Sequence, residues 1–436
     1  MTSKIRDFHL ADVGGFCHEL ARQLFPICRS LTGPGVRETL AHLKVLLPDL
    51  TVHEVASGTP AFDWVVPDEW TIRDAYIADE SGARIVDFRS HNLHIVGYSE
   101  PVDIWVDLEE LDKHLYSLPD QPTAIPYVTS YYSRRWGFCL PHEQRVSLKP
   151  GKYHVVVDAD LKPGVLNYGE LIIPGETKEE IFISTYVCHP SMANNELSGP
   201  VVATALALWA SSLERKKYTY RFVFIPETIG SIVYLSRNIS HLKSHVIAGF
   251  NISCIGDDRA YSYLPSRNGN TLSDKAALHV LKHISPDFAR YTWLDRGSDE
   301  RQYCAPGVDL PMATITRSKY GAYPEYHTSL DDLTLVTPTG LAGGFEALKK
   351  AIEAVEHNAR FKVAVFGEPQ LGRRGLYPTV SARGSADAVR GMMNLISYCD
   401  GERSLLEIAD IIGVPIWDVV KLAKPLIENG LLVEQR

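Results

Sequence analysis

Two histidines, a glutamate and a pair of asparagines follow strand-like runs in this chain, and those residue types bind metals and move protons. In IFISTYVCHPSMANNELSGP (residues 181–200) an apolar run ends at Cys188, His189 and Pro190. Asn194, Asn195 and Glu196 follow, and then the small-residue helix VVATALALWA. PETIG places Glu227 directly after the run YRFVFIP, and Asp257-Asp258 follow VIAGFNISCIG. The loop YGAYPEYHTSLDD carries Tyr326 and His327, with Asp299, Glu300 and Arg301 of GSDER upstream. Imidazoles hold a divalent ion, the ion acidifies water, and a nearby glutamate takes the proton. That is the raw material of a zinc hydrolase. Each residue alone has an ordinary reading. A histidine is more often hydrogen-bonded structure than ligand, Glu227 suits the N-cap of the next helix, and Asp257-Asp258 suits an Asp turn.

The elements that must position these residues alternate. From residue 180 strand and helix follow one another, ending in a long helix over 335–357, and repeated βα units predict a mostly parallel sheet covered on both faces. In such a sheet ligands bind at the carboxyl ends of the strands, where these residues stand. Residues 14–47 read as helices, with Val36, Leu40, Leu43 and Leu47 on one face. Short runs over 60–175 (ARIVDF, NLHIVGY, YHVVVD, GELIIP) read as β-rich. The expected organisation is an α/β domain formed by 1–59 and 176–366, an inserted β-rich domain at 60–175, and, after a Gly/Pro/Arg linker at 367–384, a winged-helix domain at 385–436. In the last, Ser404 and Glu407 form a capping box and Gly413 ends the helix.

Bulk properties narrow the function. The chain has 436 residues, 45% hydrophobic and 22% charged, with a net charge of −9. An acidic chain without a dense Lys/Arg run predicts neither nucleic acid nor membrane as partner. Residues 385–436 hold five basic and eight acidic side chains, so packing or oligomerisation is the expected role of the winged helix. The start, MTSKIRDFHLADVGG, lacks a long apolar stretch, which predicts a cytoplasmic protein. Seven scattered cysteines without a CxxC pair read as reduced thiols. In YVTSYYSRRWGFCLPHE, the aromatics Tyr131, Tyr132 and Trp136 beside Arg134 and Arg135 suit a lid that grips an anionic ligand. Arg134, Arg135, Trp136 and Tyr326 are therefore candidate substrate-binding residues. A β-hairpin with a basic tip is the plain alternative.

The stretches CRSLTGPGVRETL, CHPSMANNELSG, PETIGS, GDDRAYSY, GSDERQYC and YHTSLDD resemble a bacterial aminopeptidase-like family with a β-rich insert and a C-terminal winged helix. That family lies in the zinc aminopeptidase superfamily, which also contains glutaminyl cyclases. The resemblance implies His189 and His327 as metal ligands, Glu227 as general base, and Asp299 as a residue orienting substrate or ligand. The chain also departs from the superfamily. The bridging aspartate of the Asp-Asn-x-Ser-Gly turn is Asn195, followed by Glu196; the Glu-Glu pair reads Glu227-Thr228; an aspartate ligand falls on Ser253. Without those carboxylates two ions are not expected. One zinc, held by His189, His327 and an oxygen of Asn195 or Glu196, is. The expected function is metal-dependent hydrolysis of an amide bond in a small peptide or aminoacylated metabolite, in a biosynthetic setting. The alternatives are a scaffold that has lost its chemistry, or a non-hydrolytic acyl transferase or cyclase; a homo-oligomer is left open.

Overall fold

The computed structural model describes residues 8–376 and 385–435. Residues 1–7 of the start and 377–384 of the predicted linker lie outside the described residues. Eight strands form the main sheet: β1 (Thr51–Ala56), β2 (Val165–Ile173), β3 (Glu180–Tyr186), β4 (Thr219–Ile225), β5 (Val246–Ile252), β6 (Ser262–Leu264), β7 (Ala289–Arg290) and β8 (Met312–Thr316). Their order is β1-β2-β4-β3-β5-β8-β6-β7. The centre, β4-β3-β5-β8, is parallel, and antiparallel pairs flank it. The fold is thus α/β, with a mixed sheet.

Strand parity explains how one sheet supports two cores. Every residue of β3 is buried. Ile181 and Ile183, with Phe222, Phe224, Phe250 and Ile252, share a core with helices α1 (Val13–Leu24), α2 (Pro34–Leu46), α3 (Ser198–Ser212), α5 (Leu272–Ile284) and α6 (Pro338–Glu356). Phe182 and Tyr186, with Val223 and Ile225, face α4 (Ile229–His245) and the β-rich insert. The chain leaves β3 through α3 to reach β4 on one side, then crosses through α4 to β5 on the other. The strand order therefore reverses beside β3, and a crevice opens outside its carboxyl end.

Within the insert, Glu69–Ala78 and Lys152–Lys162 pair at the centre of a four-stranded antiparallel sheet, with Arg84–Asp87 and Val102–Asp107 at its edges. Two boundaries differ from the sequence reading. The run 165–173, expected in the insert, is main-sheet strand β2, with Leu166 and Tyr168 buried on one face and Leu171 and Ile173 on the other. Period-two texture cannot distinguish a strand covered on both faces in one sheet from a strand in another. The strand Arg360–Val363, expected in the α/β domain, pairs instead with Asp400–Ser404 and Leu432–Gln435. The C-terminal three-stranded sheet thus takes in Arg360–Val363.

Ser404 and Glu407 form the capping box that opens the helix Leu405–Ile412, and Gly413 ends it in the left-handed region. This module is docked on α5. The His279 ring bridges Asp410 Oδ1 at 2.9 Å and the Ile416 backbone N–H at 2.9 Å. Among the described residues no helix is long and apolar enough to cross a membrane.

Candidate active site

Beyond β3 the backbone turns sharply: Ser191 has φ 41°, and residues 193–197 form one π-helical turn. Asp331 holds that turn. Its carboxylate accepts the N–H groups of Ala193 (3.2 Å), Asn194 (2.6 Å) and Asn195 (2.9 Å) and the Tyr323 hydroxyl (2.9 Å). Asp331→Ala should leave the buried N–H groups of Asn194 and Asn195 without an acceptor, while the Ala193 N–H keeps the Asp331 backbone carbonyl at 2.8 Å, and should cost on the order of 3 kcal/mol. A thermal midpoint unchanged in that variant would remove Asp331 from this role.

The turn aims Glu196 back at His189. Its Oε2 lies 2.8 Å from His189 Nδ1, and its Oε1 lies 3.4 Å from Nε of the fully buried Arg29. Arg29 also donates to the carbonyls of His189 (3.0 Å) and Leu24 (2.7 Å). A carboxylate on Nδ1 fixes the ring and directs Nε2 forward, as in carboxylate–histidine–metal sites. Nε2 lies 3.6 Å from Glu227 Oε2. Burial alone would favour a neutral His189. Cys188 and Glu196 outweigh it and raise the ring well above its ordinary range. The Cys188 thiol is itself pushed up to about 11 by burial, so Glu196 is the anion that matters. A cation at Nε2 takes the place of a proton already favoured between two carboxylates.

Glu227 is not the N-cap of α4. Thr228 occupies that position with φ 64°, makes no side-chain cap bond, and donates its N–H to Asp299 Oδ1 at 2.7 Å. Ser231 Oγ donates to the same oxygen at 2.8 Å, while Asp299 Oδ2 is buried without a partner. Burial raises Glu227, against the pull of His189 and Arg301. Burial and the neighbouring Glu227 push Asp299 up to about 7.

His327 also lies in the left-handed region, at φ 57°. Its ring stacks on Tyr326 at 3.9 Å and stands 5.7 Å, centre to centre, from that of His189. Burial, reinforced by His189, lowers it to about 3, so the imidazole is neutral and has a lone pair to offer. Asn195 donates from Nδ2 to the Tyr186 hydroxyl at 2.8 Å, and its Oδ1 is a buried acceptor without a partner.

The structure therefore gathers His189, Asn195, Glu196, Glu227, Asp299, Tyr326 and His327 at one sheet edge. It does not bring Arg134, Arg135 or Trp136 to the histidines. Arg134 bonds Asp68 at 3.0 Å, Arg135 bonds the Thr129 carbonyl at 3.2 Å, and Trp136 stacks on His114 at 3.6 Å. The same segment supplies Tyr127, which sequence reasoning missed, and Tyr131, which it named among the lid aromatics. Tyr127 stands edge-on to both His189 and His327 at 5.1 Å, and its hydroxyl meets that of Tyr131 at 3.2 Å. The Tyr127 N–H donates to the His327 carbonyl at 2.8 Å, which ties the insert to the histidine loop. Arg29 and Asp331 were also missed; both stand in the quoted motifs, but neither contact is local in sequence.

The donor set suits one ion and not two. Asp257 accepts from Ser318 N, Ser318 Oγ, Arg259 N and Asn194 Nδ2, so its oxygens are occupied. Asp331 is likewise saturated, and Asn195 brings no charge. Cys188, His189 and Glu196 also place one ligand atom each within 4.8 Å of one another. That trio is a poor cation site, because Nδ1 already holds Glu196 and the Arg29 guanidinium stands against it.

An α/β sheet with a histidine and carboxylate cluster at its carboxyl edge and a winged helix behind it defines an aminopeptidase-like protein. Residues 18–358 match the family model described as "Domain of unknown function (DUF4910)", and residues 360–434 match a winged helix-turn-helix model. The chain belongs to the first of these families. It is 41% identical over 403 residues, 92% of each chain, to a Clostridium acetobutylicum protein provisionally named a polysaccharide biosynthesis protein with aminopeptidase-like domain. A crystal structure from that species, provisionally called a peptidase, matches 98% of this chain and 97% of its own at 40% identity, TM-score 0.92. BSAP, a zinc aminopeptidase from Bacillus subtilis, shares the fold: TM-score 0.57 at 12% identity, over 81% of this chain and 96% of its own.

Proposed function

We propose that this protein hydrolyses an amide bond in a small peptide or an aminoacylated metabolite, with one divalent ion, zinc by preference. The observation that carries the reading is Glu227 Oε2 at 3.6 Å from His189 Nε2, with neutral His327 beside them. His189 and His327 would hold the ion and Asn195 Oδ1 would complete it, while Glu196 grips His189 from behind. The bound ion supplies Lewis acidity, polarising an amide carbonyl and easing loss of a proton from water. Glu227 takes that proton and passes it to the departing amine. Asp299 holds the Thr228 backbone and so the direction of Glu227. Tyr127 and Tyr131 roof the histidines and keep bulk water from them. With His189 only 2% exposed, a short substrate fits better than a long chain.

The relative's name supports a biosynthetic setting, in which the amide would belong to a building block. The domain limits follow the strand pairings: 60–162 as the insert and 360–435 as the winged helix. A cytoplasmic location and a partner set without nucleic acid stay part of the proposal. The scaffold reading is favoured by one feature, the neutral Asn195 at the bridging position. Turnover of a panel of aminoacyl and dipeptide amides, with and without added zinc, decides between them. Zinc-dependent release of amine is expected; none from any substrate, with zinc bound, would leave the scaffold.

A further inference from the structure

The Arg301 guanidinium stands beside Glu227 with no counter-charge of its own. Its Nε donates to the Ser298 carbonyl at 3.0 Å and its Nη2 to the Thr228 hydroxyl at 2.9 Å, both neutral oxygens. Guanidinium has five N–H donors; the others on Arg301 have no partner among the described residues. No described carboxylate, Glu227 included, comes within ion-pair distance of it. Other arginines near the cluster are neutralised, Arg29 by Glu196 and Arg259 by Glu325. One anchor also points to the site: Thr228 directly follows Glu227 in the chain. Arg301 is exposed, so solvent or a ligand reaches its free edge.

We infer that Arg301 binds a carboxylate of the substrate, so that the molecule presented to Glu227 carries an acid group near its amide bond. This rests on the hydrolase reading for the amide, but not for the anion. A planar fork with adjacent free N–H groups matches the two oxygens of a carboxylate, and it does so at the mouth of a partly desolvated site where such bonds are strong. The competing role is structural: Arg301 would only hold Thr228 in its left-handed conformation.

Titration calorimetry at low salt separates the two. The full chain carrying Glu227→Gln, which prevents turnover, is titrated with zinc present against N-acetylglycine, N-acetylglycinamide and inorganic phosphate. The acid is expected to bind about 10–100-fold more tightly than its amide. Adding Arg301→Gln should erase that ratio with little change in thermal midpoint. A ratio near one with Arg301 present, a ratio that survives without it, binding of neither ligand, or preference for phosphate would each overturn the assignment. Because the titration needs no turnover, a chain inactive on every amide but selective for the acid would sink the hydrolase reading and leave Arg301 standing.

Discussion

Glu227→Gln is expected to lower kcat on the best amide substrate by about 10²–10⁴-fold, the usual contribution of a general base. The substitution keeps side-chain volume, and it removes the ability to accept a proton. Metal content should be unchanged, because Glu227 is not among the residues assigned to hold the ion. The thermal midpoint should move little, and the structure gives the reason. Glu227 does not cap α4, whose first residues are organised by Thr228 and Asp299. Steady-state kinetics together with metal analysis of the same preparation check this. Full activity in the metal-loaded variant would exclude Glu227 as the base and leave the two histidines alone to carry an enzyme assignment.

The second large effect concerns the ion. Protein purified without chelator should carry at most one zinc per chain, and His189→Ala and His327→Ala should each lose it. Loss of an outer-shell partner typically weakens metal binding 10–100-fold. Removing a ligand should cost more than that, and Glu196→Gln should fall within it. His189→Ala leaves Glu196 paired with Arg29 rather than stranded, so a soluble, folded variant is expected. Elemental analysis and competition with a chelator of known affinity read all three. Two tightly held ions per chain would contradict the saturation of Asp257 and Asp331 by protein donors. Zinc retained in both alanine variants would move the site elsewhere.

Much of this protein is legible in one dimension, where a local rule suffices. The alternation of βα units after residue 180 states the sheet, because a strand buried on both faces must read as an apolar run. His189, Glu227 and His327 could be picked out because each follows a strand-like run, and strand ends converge in such sheets. Ser404, Glu407 and Gly413 announced their helix because caps act within a few residues. What the chain could not state is whatever depends on pairing across long separations. The strand 165–173 has the same texture as the insert before it, and only its pairing with β1 and β4 assigns it to the main sheet. Glu196 read as a candidate ligand; Arg29, 167 positions earlier in the chain, and the π-turn pinned by Asp331 instead set it against Nδ1 of His189. Arg134, Arg135 and Trp136 had the composition of a lid, yet Tyr127 reaches the histidines, because the segment meets the His327 loop through a backbone bond at Tyr127. Residue type tells what chemistry is affordable, while the direction of each side chain is set by hydrogen bonds between residues far apart in the chain.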